Sequence, residues 1–119
     1  MICSFCGSNT IPEENKPKFE MKIMDIIKHY PDVIFYVGNN DKLNEVVLST
    51  LKKMKRESVD ISFAVILAYP LTAKQIIDYE GIPLIYPEGL WKVPKRYAVY
   101  FRDNWIAMKS DLIISYDYP

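Results

Sequence analysis

The sequence predicts an α/β sandwich: a mainly parallel sheet of about five strands, with helices on both faces. Two observations predict it. Short apolar runs alternate along the whole chain with stretches of helical spacing, the pattern left by parallel strands joined through right-handed crossovers. The runs Val33-Ile34-Phe35-Tyr36-Val37 and Ile61 to Ala68 (ISFAVILA) are also apolar without alternation. Neither has a face suited to water, and strands buried on both faces belong to a sheet covered by helices on each side.

Taken in order, Ile2 to Phe5 reads as a first strand, followed by the polar turn Gly7-Ser8-Asn9-Thr10. Pro12 and Pro17 punctuate the lead-in to a helix. In it Phe19, Ile23, Ile26, Ile27 and Tyr30 recur at helical spacing while Glu20, Lys22, Asp25 and Lys28 face away. Pro31 stops that helix. After Val33–Val37 comes Gly38-Asn39-Asn40-Asp41, in which Asp41 is set to cap a second helix carrying Glu45 in its first turn. That helix shows Leu43, Val46, Val47, Leu51 and Met54 on one face. Tyr69-Pro70 closes the third strand, and Leu71 to Tyr79 reads as a short helix ended by Gly81. Pro83 to Tyr86 is a fourth strand, with the proline at its start, where a missing N–H is tolerated. Pro87 to Pro94 is the longest irregular loop. The last helix is expected to pack Ala98, Phe101, Trp105 and Met108 inward. It feeds Leu112-Ile113-Ile114-Ser115-Tyr116, read as a strand with no wet face.

The 119 residues make one domain, 1–119, large enough for a real core. Lys plus Arg and Asp plus Glu are both 15, so the formal net charge is zero. Proteins that grip duplex nucleic acid usually carry a basic excess, because neutralising phosphates supplies most of the affinity; none is expected here as a partner. The basic cluster Lys52, Lys53, Lys55 and Arg56 falls at a helix end, where cations suit the macrodipole. No apolar run is long enough to span a bilayer, and MICSFCG lacks the plan of a signal peptide. The expectation is a cytoplasmic protein with no membrane partner. Zero net charge and nine tyrosines predict a homodimer or higher homo-oligomer.

Cys3-Ser4-Phe5-Cys6 is a CxxC, but a structural zinc needs about four ligands and the only histidine, His29, lies elsewhere. On a strand, residues three apart point to opposite faces, a poor geometry for a disulfide. Two reduced cysteines, buried or half-buried, and no metal or cofactor are expected. Gly7-Ser8-Asn9-Thr10 and Gly38-Asn39-Asn40-Asp41 both follow strands and precede helices. They are candidate ligand-binding turns, since open parallel sheets bind ligands at the carboxyl ends of their strands; the same residues also make ordinary turns and caps. Arg102, followed by Asp103, Asn104 and Trp105, is a candidate phosphate contact, or else a partly buried arginine bonded to Asp103, Asp111 or a strand end. Tyr86 and Glu88 bring an aromatic and a carboxylate to the same sheet edge. Serine-protease-type catalysis has no usable histidine, and neither GxGxxG nor a Walker A loop occurs.

The pieces VGNND, LAYP and YPEGLWKVPKRYAVYFRDNWIAMKSDLIISY resemble, in that order, small bacterial and phage proteins of the SLOG superfamily. These are Rossmann-like proteins related to the LOG phosphoribohydrolases and the DprA family. The resemblance implies a Rossmann-like three-layer sandwich with a pocket for a nucleotide or ADP-ribose-like signal. Gly7, Gly38, Asn39, Tyr86 to Gly89, Arg102, Trp105 and Ser110-Asp111 match the family pattern. Ser8-Asn9 stand where relatives have His-Arg, and Asp103-Asn104 where they have Asn-Arg. Two cations of a phosphate pocket are therefore missing, as is the glycine-rich PGGxGTxxE motif that carries the LOG catalytic glutamate. These departures predict binding without catalysis, as in a protein that sequesters an immune second messenger for a phage. The alternatives are an N-glycosidase using Glu88 and a protein-interaction module with no ligand. A second copy is expected to cover the last strand, near Tyr116 to Pro119 and the last helix.

Overall fold

The computed structural model describes residues 1–7, 10–39 and 41–116. Within them five strands, β1 (Ile2–Cys6), β2 (Ile34–Val37), β3 (Ser62–Ile66), β4 (Leu84–Ile85) and β5 (Leu112–Ser115), pair in the order β4-β3-β2-β1-β5. Every pairing is parallel. The helices are α1 (Lys16–His29), α2 (Lys42–Arg56), α3 (Ala73–Asp78) and α4 (Ala98–Lys109). Short 3-10 turns lie at Glu13–Asn15, Leu90–Lys92 and Lys95–Tyr97.

Strand order explains the layers. From β1 to β4 the chain steps in one direction across the sheet, so right-handed crossovers keep the connecting segments on one face. The step from β4 to β5 runs back past three strands, and the same handedness puts α4 on the opposite face. The first face holds the larger core: Cys3, Phe5, Phe35, Val37, Phe63 and Val65 of the sheet against Phe19, Ile23 and Ile26 of α1 and Leu43, Val47, Leu51 and Met54 of α2. Phe5 meets Phe19 edge-on and stacks on Phe35, with ring centroids 5.8 and 5.9 Å apart. The second face is thinner, with Ala64 and Ile66 under Ile106, and Tyr36, Ile85 and Trp105 packed around them. The chain therefore forms the expected parallel five-stranded sheet flanked by helices on both faces, a Rossmann-like three-layer sandwich.

The local signals act as the sequence suggests. The Asp41 carboxylate accepts from the Asn44 N–H at 2.8 Å and caps α2. α3 buries no residue of its own, and a capping box holds it: Gln75 N–H donates to Thr72 Oγ1 at 3.2 Å while Gln75 Oε1 accepts from Thr72 N–H at 3.0 Å. The lysines at the end of α2 are engaged locally. Lys53 bonds Glu20 of α1 at 2.8 Å, Lys52 bonds the Asp78 carbonyl at 3.2 Å, and Lys55 sits over the Phe63 ring. Among the described residues no helix is long and apolar enough to cross a membrane.

The α2 cap supports a first prediction. Asp41 also accepts from Asn44 Nδ2 through its other oxygen, and Asn44 Oδ1 accepts from the Gly38 N–H. Replacing Asp41 with Ala is expected to cost about 1.5 kcal/mol in urea denaturation, in the upper part of the range for a lost cap. Asp41→Asn should recover most of it.

Two expectations are corrected. α4 buries Ala98, Arg102 and Ile106, an i, i+4, i+8 stripe, whereas Met108 is 84% exposed. The buried stripe is displaced from the all-apolar one because the Arg102 guanidinium finds acceptors inside. β5 is not dry on both faces. Leu112 and Ile114 pack on the larger core, but Ile113 is 45% exposed on the other face, which α4 leaves partly uncovered.

Candidate functional site

Three features shape the carboxyl end of β1. The Tyr116 N–H donates to the Cys6 carbonyl at 2.7 Å, so the exit from β5 runs alongside the end of β1. A Cβ on Gly7 would lie 2.0 Å from the Tyr116 carbonyl oxygen and 2.9 Å from Leu43 Cδ2, so no side chain fits there. On the second face the Ser4 and Ser110 hydroxyls meet at 2.7 Å, and Ser110 donates to the Ile106 carbonyl at 2.6 Å, which fixes α4 to β1.

Arg102 fixes the other side of α4. It has no exposed surface. Its Nε donates to Asp103 Oδ1 at 2.8 Å, and its Nη1 donates to Asn39 Oδ1 at 3.1 Å and to the Ile66 carbonyl at 3.2 Å. One side chain thus joins α4 to the carboxyl ends of β2 and β3. Gly38 makes room for it, since a Cβ there would lie 3.0 to 3.3 Å from the guanidinium.

Between these anchors lies a cavity of about 280 Å³. Ser4, Cys6 and Gly7 line it from β1 and its exit, and Asp41 and Asn44 from the start of α2. Asp103, Ile106 and Ala107 line it from α4, with Tyr36 and Ile113 from the sheet. Tyr36 stacks on Trp105 at 6.0 Å. Asp41 and Asp103 give the lining two carboxylates, and no Lys or Arg is among the described lining residues. Such a lining suits hydroxyl and N–H donors better than a bare phosphate. Cys6 is exposed here, whereas Cys3 points into the larger core, where burial pushes its thiol up to about 11 against a smaller opposing effect of Lys22. At neutral pH Cys3 is a protonated, inert thiol. Among the described residues no cluster of His, Cys, Asp and Glu suits a metal ion.

Of the residues singled out from sequence, Gly7 lines the cavity. Ser8, Asn9 and Asn40 lie outside the described residues. Gly38 and Asn39 sit behind it, tied to Asn44 and Arg102. Arg102 is buried and does not line it. Tyr86 opens onto a different recess, and Glu88 is exposed and lines neither. Sequence reading missed Tyr36, Asn44 and Asp103 as lining residues, while Asp41, read both as a cap and as the last residue of the second candidate turn, does line the cavity. Its one available signal was the Asp41–Asn44 spacing, which reads equally well as helix capping.

The fold and site define a Rossmann-like α/β protein with a small acidic cavity at the carboxyl edge of its sheet. No family model, curated protein or solved structure matches the chain. The SLOG resemblance therefore stands on its quoted residues alone.

Proposed function

We propose that this protein binds a nucleotide-derived small molecule at the carboxyl edge of the sheet and does not transform it. One observation carries the reading: the cavity lies at the carboxyl end of β1, where the strand order reverses, which is where open parallel sheets hold ligands. Asp41 and Asp103 suit the hydroxyls of a ribose. About 280 Å³ is at the small end for ligand pockets, enough for a sugar or a single base. The absence of catalysis is supported by the carboxylates themselves. Asp41 is committed to the α2 cap, Asp103 to Arg102, and Glu88 lies away from the cavity. Sequestration of a nucleotide signal, in the manner the SLOG resemblance implies, is the role this chemistry fits.

Cys6 supplies the test. It lines the cavity and is exposed, so iodoacetamide should label Cys6 and spare Cys3 in the folded protein. Nucleoside monophosphates, NAD and ADP-ribose are to be screened as protectants. A bound ligand at a hundredfold excess over its dissociation constant should slow Cys6 labelling and add about 2.7 kcal/mol of stability. Unchanged labelling and stability with all of them would refute binding at this cavity. Release of free base that disappears in Glu88→Gln would refute the non-catalytic reading.

A further inference from the structure

A second concavity, of about 480 Å³, opens beyond the carboxyl ends of β3 and β4. Its lining includes Tyr69, Tyr86, Leu90, Trp91 and Lys95. The wall is held in place. The Tyr69 hydroxyl donates to the Lys95 carbonyl at 3.2 Å, and Gly89 turns the loop in the left-handed region (φ 83°), which admits the Leu90 N–H to Pro87 O bond at 3.2 Å. Yet Trp91 is 82% exposed, the most exposed aromatic side chain among the described residues. A large aromatic surface left in water beside a preformed recess is what a ring-shaped partner would cover.

Charge selects the partner. Between Tyr86 and Tyr97 the chain carries Lys92, Lys95 and Arg96 against one carboxylate, Glu88, in a protein whose formal net charge is zero. These cations are interleaved with aromatics: Lys92 Nζ lies 5.0 Å from the Trp91 ring centroid, and the Arg96 guanidinium 4.9 Å from that of Tyr97. The cavity at β1 has the opposite character, with two carboxylates and no described cation. The recess therefore offers a flat ring and an anion what each needs, whereas the cavity offers acceptors to the hydroxyls of a sugar.

We propose that the recess lined by Tyr69, Tyr86, Trp91 and Lys95 binds the base and phosphate of a mononucleotide, with the ring stacked on Trp91 and Lys95 neutralising the phosphate. The choice of a nucleotide rests on the reading of the preceding subsection, but the residues are a separate set. Stacking on an aromatic side chain is sequence-tolerant and adds to cation–π attraction, so discrimination between bases should be weak and the phosphate should matter more.

The two tryptophans give a test that separates the sites. Trp91 lines the recess, and Trp105 stacks on Tyr36, which lines the cavity. AMP and adenosine are titrated into the ¹⁵N-labelled full chain while both indole N–H signals are followed, with Trp91→Phe assigning them. The Trp91 signal should move saturably, with AMP binding about tenfold more tightly than adenosine, as one well-placed ion pair would give. Lys95→Glu should erase that difference. Both side chains are exposed, so neither substitution threatens the fold. If the Trp105 signal alone moves, the recess proposal fails and the cavity reading stands. If Trp91 alone moves, the recess proposal holds for AMP, and Cys6 labelling decides the cavity reading. A Trp91 shift equal for AMP and adenosine and indifferent to Lys95→Glu would overturn the phosphate assignment, and no shift of either signal would overturn both readings.

Discussion

Gly7→Ala is expected to lower stability by about 3 kcal/mol, the top of the usual range for overpacking, and to loosen the end of β5. The added methyl would meet the Tyr116 carbonyl oxygen at 2.0 Å. That atom belongs to the backbone and cannot rotate away as a side chain would. Relief requires the exit from β5 to move, and the Tyr116 N–H to Cys6 O bond at 2.7 Å is the first contact in its way. Two measurements follow. The melting temperature should fall by roughly 10 °C, at a few degrees per kcal/mol for a domain of this size. Hydrogen exchange at the Tyr116 amide should accelerate beyond that of the β2 and β3 amides. Gly81→Ala is the control. Its φ of 80° is left-handed, but nothing lies within 4 Å of the added Cβ. It therefore carries conformational strain alone, about 1 kcal/mol, partly offset by a stiffer unfolded chain. If the two substitutions cost the same, steric closure at the β1 exit is not what requires glycine at position 7.

The contrast between these glycines bears on what the sequence could reveal. Both sit where a glycine after a regular element suggests a turn, and nothing local distinguishes them. The difference lies in Tyr116, far along the chain, whose carbonyl crosses Gly7. The same holds for α4. Helical spacing correctly located the helix, but the face was assigned by counting apolar residues, which puts Arg102 beside the buried stripe and not in it. Asp103 is adjacent, but two other acceptors, Asn39 and the Ile66 carbonyl, lie 63 and 36 residues away, so a window of sequence around Arg102 shows only part of the reason for its burial. By contrast, β2 and β3 were legible because strands buried in the middle of a sheet must be apolar on both faces. β5, at the sheet edge and only partly covered on one face, reads the same way while lying half in water.

The candidate site was legible in its edge but not in its membership. Parallel strands dictate that every turn after a strand opens at the same edge. Sequence reading therefore gathered Gly7, Gly38, Tyr86 and Glu88 into one pocket. Strand order separates them. β4 lies three strands from β1, about 14 Å at the usual spacing, so the loop after β4 serves its own recess. Had β4 paired with β1, the same residues would have met. Asp103 was weighed only as a partner for Arg102. It is that, and because its side chain is 53% exposed it also faces the cavity.

Arg102 and Gly38 are expected to be energetically coupled, and a double-mutant cycle measures it. Arg102→Met keeps a long side chain but removes every donor. Breaking a buried ion pair commonly costs 3–5 kcal/mol because the surviving charge is stranded. Here the survivor is Asp103, half in water and able to rehydrate. The remaining loss includes the bonds to the Ile66 carbonyl and Asn39 Oδ1, so a cost of about 2–3 kcal/mol is expected from unmade hydrogen bonds. Gly38→Ala puts a methyl 3.0 to 3.3 Å from a guanidinium that its bonds hold in place. Displacing it a few tenths of an ångström should cost about 1–2 kcal/mol. In the Arg102→Met background the rigid fork is gone and a flexible thioether replaces it, so the same methyl should cost little. The double mutant should therefore be about 1 kcal/mol more stable than the sum of the single effects, a coupling typical of side chains in contact. Additivity would mean that the guanidinium yields freely to the Gly38 methyl, and Arg102 would then be a filler of space and not the clamp that holds α4 to the ends of β2 and β3. Because Asp103 reaches the cavity from the residue beside that clamp, Arg102→Met should also weaken ligand binding, even though Arg102 lines no part of the cavity.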